Sequence, residues 1–189
     1  MYLVYVDDSQ VLNNSFLDGG SDGILVSGCQ DILLQNNIIK TDLRHGLETR
    51  NSKDSRVNDN IFERNAFEDI YLTSGSGNVI GTNAMLFNND SGRAYSVNWV
   101  QAFCGDLNNS WYFGTGNLWF DRVSPDENED GIVDRPYLIP SGCQDPFPLV
   151  SIPGLNITPD LCPLSVIGHA PQGQAVDHDS HINITFSEE

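Results

Sequence analysis

Basic side chains are scarce: 9 Lys and Arg stand against 26 Asp and Glu in 189 residues, a formal charge of −17. A surface of that sign repels phosphate backbones and offers no cationic cluster, which excludes nucleic-acid binding. Long apolar runs are absent, none approaching the ~20 residues of a membrane span, and the segment 1–8 lacks the basic and small-residue flanks of a signal peptide. The four cysteines, at 29, 104, 143 and 162, form no CxxC or Cys/His spacing, so a zinc site is not indicated. Methionine occurs twice and His45, His169, His178 and His181 are scattered, leaving no Met- or His-rich tract for copper. The grouping of His178 and His181 with Asp177 and Asp179 has the composition of a solvated turn. The hydrophobic fraction, 39%, still suffices for one or two packed domains and rules out disorder throughout.

What the chain does have is a gapless internal repeat of 23 residues, in blocks 7–29, 30–52, 53–75 and 76–98. Asn14, Asn37, Asn60 and Asn83 fall in one column, followed by Phe16, Ile39, Phe62 and Met85 and preceded by Val11, Leu34, Val57 and Ile80. A second apolar column runs through Ile24, Leu47 and Ile70, just after Gly23, Gly46 and Asp69. Apolar residues alternate over short runs broken by Gly, Asn, Asp and Ser, the period of strands; no block keeps the i, i+3, i+4, i+7 pattern of a helix. Strands this short bury no face alone, but coils stacked at ~4.8 Å pair each strand with its equivalents above and below. A recurrent inward Asn at a corner then bonds both the turn backbone and the next Asn in the stack.

On these residues the chain resembles the right-handed parallel β-helix proteins of the NosD-like and carbohydrate-binding CASH type, common in archaeal surface proteins. The matching stretches are Asn13-Asn14-Ser15-Phe16, Asp22-Gly23-Ile24-Leu25-Val26 and the run from Asp31 to Ile39, and the repeat covers about half the chain. The expected fold is all-β: a right-handed parallel β-helix of about four to five coils over residues 1–98, a C-terminal cap over 99–150, a Pro-rich linker over 151–165, and the truncated beginning of an Ig-like β-sandwich over 166–189. The last part rests on the likeness of Pro171 to Glu188 to the opening strands of bacterial Ig-like domains. Subtracting one period puts Met1 in the column of Ile24 and Leu3 in that of Val26, which predicts a fragment that starts in mid-coil.

Beyond Asn98 the register is lost, and Trp99, Phe103, Trp111, Tyr112 and Phe113 read as a lid over the last coil, with a carbohydrate platform as the alternative. The stretch from Asn117 to Tyr137 is similar to the terminal coil of the NosD-like group. Within it Asp126, Asn128, Asp130, Gly131 and Asp134 take positions 1, 3, 5, 6 and 9 of an EF-hand-like loop, with the Ile132 carbonyl at position 7. Carboxylates so close repel unless a cation neutralises them, and hard oxygens suit calcium. Position 12 is Tyr137 where an EF-hand has Glu, so Asp121 or Asp145 is expected to supply the missing carboxylate. The expected role is a structural clamp with affinity in the extracellular range, ~10⁻⁴ to 10⁻³ M.

Cys143 and Cys162 flank the Pro-rich stretch and are expected to pair; Cys29, in a column with Ser52 and Gly75, is expected to pack as a small corner residue, with Cys104 either its partner or free. Sequons begin at Asn13, Asn89, Asn108, Asn156 and Asn183, with Asn13 in a corner too tight for a glycan. Among outward positions, Glu48 with Arg50, aided by Glu68, Asp69 or His45, makes the one conceivable catalytic site; a salt-bridged surface is the competing explanation. The column Asp8, Asp31 and Asp54 reads as turn-capping carboxylates. The resulting expectation is a non-catalytic, calcium-stabilised extracellular or cell-surface scaffold, or a carbohydrate-binding and adhesion module. Its partners would be a polysaccharide or a neighbouring surface protein. A polysaccharide-acting lyase, epimerase or glycoside hydrolase is the alternative, and the resemblance alone implies a third role in metal-cluster assembly.

Overall fold

A computed structural model describes residues 1–87, 101–121 and 125–155, and the backbone alone of 166–170 and 183–186. Strands and turns, without helix, make up the described residues. The first coils contain β1 (Tyr2–Val4), β2 (Gln10–Leu12) and β3 (Ser15–Leu17), then β4 (Ile24–Ser27), β5 (Leu33–Gln35) and β6 (Ile38–Lys40). The next contain β7 (Leu47–Arg50), β8 (Arg56–Asn58) and β9 (Ile61–Glu63), then β10 (Ile70–Leu72), β11 (Val79–Gly81) and β12 (Ala84–Leu86). They are followed by β13 (Ala102–Cys104), β14 (Leu118–Trp119), β15 (Tyr137–Ile139) and β16 (Cys143–Asp145).

The strands assemble into three parallel sheets, ordered β1-β4-β7-β10-β13, β2-β5-β8-β11 and β3-β6-β9-β12-β14. In each, a residue pairs with the one a full coil later, as in Leu25↔Glu48↔Tyr71. Val11, Leu34, Val57 and Ile80 point inward from one sheet, Ile39, Phe62 and Met85 from another, and Ile24, Leu47 and Ile70 from the third; all are buried. The fold is a parallel β-solenoid.

Corners hold the period. Asn13, Asn36, Asp59 and Thr82 all take the left-handed conformation, with φ between 55° and 60°, where Asn and Asp are the residues least penalised after Gly. Asp8, Asp31 and Asp54 do the same, with φ of 51°, 55° and 52°, so this acidic column consists of turn residues. Beside the first column runs the asparagine file. Asn37 donates from its backbone N and its Nδ2 to Asn60 Oδ1 (2.9 and 3.0 Å), and Asn60 donates likewise to Asn83 Oδ1 (3.0 and 3.0 Å). Each amide also reaches back to a carbonyl: Asn37 to Val11, Asn60 to Leu34 and Asn83 to Val57. Cys29 is a buried free thiol at its corner.

The solenoid does not stop where the gapless repeat stops. β13 pairs with β10 as Ile70↔Ala102, and β14 with β12 as Ala84↔Leu118, offsets of 32 and 34 residues. A further coil is therefore present with extra residues between its strands. Asn117 extends the asparagine file, accepting from Asn83 (3.1 and 3.0 Å), and donates in turn to Asp145 Oδ2 (2.6 and 3.3 Å). Phe103 belongs to this coil and stacks on Tyr71. Trp111 and Trp119 are buried against each other at the core's end, whereas Tyr112 and Phe113 are half-exposed. Trp99 lies outside the described residues.

Cys143 pairs with Cys104, not with Cys162, because the added coil brings the end of β13 to the start of β16, with the Cα atoms 6.1 Å apart. Cys162 lies outside the described residues. The stretch expected to be linker begins as packed chain: Ile152 and Leu155 cover the outer apolar cluster of Ala84, Leu86 and Leu118. Residues 1–159 form one compact unit, and residues 160–189 a second. Within the second, β17 (Val166–Ala170) and β18 (Asn183–Phe186) pair antiparallel. His178 and His181 lie outside the described residues.

Candidate functional site

The outward face of the β1-β4-β7-β10-β13 sheet carries the chain's main concentration of polar chemistry among the described residues. Glu48 projects from β7 yet is only 2% exposed. Arg50, two residues on and so on the same face, grips it with Nε at 2.7 Å and Nη2 at 2.9 Å. Arg44 lies 3.7 Å from Glu48 and donates to Asp22 Oδ2 at 3.2 Å. His45 Nδ1 sits 3.1 Å from Glu68 Oε2, and its ring stacks on Tyr71 at 4.4 Å and 7°. Of the partners expected for Glu48, His45 and Glu68 are thus at the site. Asp69 is not: it is buried and accepts from Asn65 Nδ2 at 2.7 Å.

Asp22 is the member missed at the sequence level. Its Oδ1 accepts the His45 amide at 3.3 Å, and ligand-type atoms of Asp22, His45 and Glu48 lie within 4.8 Å of one another. The signal was available, since Asp22, His45 and Glu68 are one period apart and stack in one column. This trio does not suit a metal ion, because Arg44 and Arg50 already neutralise its two carboxylates. Burial works to raise the Glu48 pKa, but the Arg50 hydrogen bonds and charge outweigh it and hold the carboxyl below its usual range. A general acid needs the opposite, a free carboxyl poised near the working pH.

The acidic loop is a tight turn whose side chains bond its own amides. Asp126 Oδ2 accepts from Gly131 N (2.9 Å) and its Oδ1 from Asp130 N (3.2 Å). Asn128 Oδ1 also accepts from Asp130 N (3.1 Å), Asp130 Oδ1 from Ile132 N (2.8 Å), and Asp134 Oδ2 from Glu127 N (2.7 Å). Gly131 bends the loop with φ of +84°. The donor set is all oxygen, as calcium prefers, and these residues would hold it through their carboxylates, the Asn128 amide and the Ile132 carbonyl. Tyr137, at position 12, is committed elsewhere: its ring stacks on Trp119 at 3.9 Å and its hydroxyl donates to Asp121 (2.9 Å).

The carboxylates expected to complete the loop are likewise engaged elsewhere. Asp121 holds the Tyr137 hydroxyl. Asp145 is fully buried as the last rung of the asparagine file, accepting also from Trp119 Nε1 (2.9 Å) and Phe147 N (3.0 Å). Burial raises its pKa, and its four donors work against that rise.

No curated protein and no solved structure matches this chain. The family model described as a right handed beta helix region matches residues 1–101, a span that includes the stacked strands β1 to β12. With more than half its length matched and its strands paired coil on coil, the chain belongs to the right-handed β-helix family.

Proposed function

We propose that the protein is a non-catalytic scaffold of the cell surface, a calcium-stabilised β-helix of the NosD-like or CASH type. Its outward sheet face would contact a polysaccharide or a neighbouring surface protein. The observation that carries this reading is the closure of Glu48 by the Arg50 fork, which leaves the best-placed outward carboxylate without a free oxygen for acid–base work. On the same face Tyr71 and Phe103, paired coil on coil, stack their rings, with the buried His45 ring stacked against Tyr71, and exposed ring faces are the chemistry that sugar faces use. The Cys104–Cys143 bridge fits an oxidising, extracytoplasmic setting. The residues from 166 onward fit the opening of an Ig-like domain, in which an antiparallel strand pair is expected. Calcium at Asp126, Asn128, Asp130, Ile132 and Asp134 would clamp the end of the solenoid.

A glycan array run beside reducing-sugar and unsaturated-product assays tests the reading. Binding without turnover supports it. Turnover abolished by Glu48→Gln establishes instead the alternative, a polysaccharide-acting enzyme.

A further inference from the structure

Alongside the asparagine file runs a second, shorter one at the next corner: Gly19, Asp42 and Asn65, each one period apart. Asp42 N donates to Asn65 Oδ1 at 3.1 Å, and Gly19 N donates to Asp42 Oδ1 at 2.9 Å, repeating the geometry of the main file. The difference is chemical. In the main file the second side-chain atom is an amide nitrogen that donates to the carbonyl 26 residues earlier, as Asn37 does to Val11, Asn60 to Leu34 and Asn83 to Val57. Asn65 reaches the Ile39 carbonyl at the same offset, which makes the Phe16 carbonyl the counterpart for Asp42. An ionised carboxylate has no proton to give there.

The atom in that place, Asp42 Oδ2, is buried and has no hydrogen-bond partner, and the whole residue is 2% exposed. Backbone closes round it, since a Cβ added to Gly23 would lie 2.2 Å from Oδ2 and one added to Gly19 2.1 Å from Oδ1. Asp145 shows the contrasting case: at the end of the main file both its oxygens are served by donors. A carboxylate suits a terminus of such a file, where it only accepts. Inside a file its second oxygen takes the place from which an amide donates, and only a protonated carboxyl can donate from there.

We propose that Asp42 is a proton-dependent rung: carrying a proton, it completes the corner ladder and ties residues 18–23 to the coil below, and losing that proton loosens this corner. Burial is the main cause that lifts its pKa from 3.8 to about 6, opposed by the Gly19 bond. The charged groups facing it are the Met1 amino terminus, which lowers the value, and Asp22 and Asp18, which raise it. A folded-state pKa above the unfolded one gives stability that is fully present below about 3.8 and lost as pH rises through about 6.

Two measurements test this. Carbon-detected NMR titration of the Asp carboxyls in the wild-type chain should place Asp42 near 6; a midpoint below about 4.5 overturns the proposal. Thermal and urea unfolding of wild type and Asp42→Asn should coincide near pH 4 and separate near pH 8, with Asp42→Asn the more stable. The displacement from 3.8 to about 6 sets that separation at roughly a hundredfold in the folding constant. Curves that differ equally at both pH values, or a variant less stable at both, overturn it. Should Asp42→Asn fail to fold, the titration alone decides.

Discussion

Asn60→Ala removes one rung from the middle of the asparagine file, and the structure sets what that costs. Asn60 Oδ1 is the acceptor for Asn37 N (2.9 Å) and Asn37 Nδ2 (3.0 Å). Asn60 Nδ2 donates to the Leu34 and Asn58 carbonyls and to Asn83 Oδ1, at 2.9, 3.0 and 3.0 Å. Asn37 Nδ2 keeps its bond to Val11, so the group left wholly unpaired is the buried Asn37 N–H, at about 1–3 kcal/mol. The two hydrogens of Asn60 Nδ2 and the one that Asn37 Nδ2 gave to Asn60 lose a bond each, at about 1 kcal/mol apiece where water does not enter, which brings the loss to about 4–6 kcal/mol. Asn14 occupies the same column but is exposed and only donates, so Asn14→Ala should cost about 0.5–1 kcal/mol. Urea unfolding with the disulfide intact, followed by far-UV circular dichroism and by fluorescence of the buried Trp111 and Trp119, compares the two. Equal losses for Asn14→Ala and Asn60→Ala, or a loss below about 1 kcal/mol at Asn60, would refute the ladder as a source of stability.

Three further outcomes follow from the same geometry. Reducing Cys104–Cys143, which closes a separation of 39 residues, should destabilise the first unit by about 4 kcal/mol on the chain-entropy estimate; melting unchanged by dithiothreitol would contradict that pairing. Glu48→Gln should lower stability at neutral pH and leave it little changed in strong acid. The depressed Glu48 pKa makes the Arg50 pair count above about 4.5 and fade as pH falls below it, and a loss that persists in strong acid would contradict the assignment. Calcium should raise the melting temperature relative to EDTA, and Asp126→Ala should abolish the difference; identical melting of wild type in both would remove the ion from the loop.

Much of the solenoid is legible in the sequence because its coils share one length. A fixed period of 23 residues makes columns of like chemistry: the αL corners take Asn13, Asn36 and Asp59, and beside them the hydrogen-bonded file of Asn14, Asn37, Asn60 and Asn83 announces the stack. The next coil is illegible because extra residues stretch the offsets to 32 and 34, and a gapless alignment cannot see Ala102 as the successor of Ile70. Two consequences of that coil were hidden with it: the Cys104–Cys143 bridge and the placing of Asp145 under Asn117. At the candidate site, Glu48 and Arg50 are recognisable from strand alternation as neighbours on one face. Whether a carboxylate there is open or sealed depends on how the Arg44 and Arg50 side chains fold over it, which no spacing encodes. Asp22 was within reach through its column.

Backbone nuclear Overhauser contacts in a uniformly labelled sample test the central claim most directly, since each parallel sheet brings residue i beside residue i+23. The account predicts contacts such as Leu25 with Glu48 and Glu48 with Tyr71, then Ile70 with Ala102 and Ala84 with Leu118. A spectrum dominated by contacts three and four residues apart, or one without the 23-residue series, would contradict it.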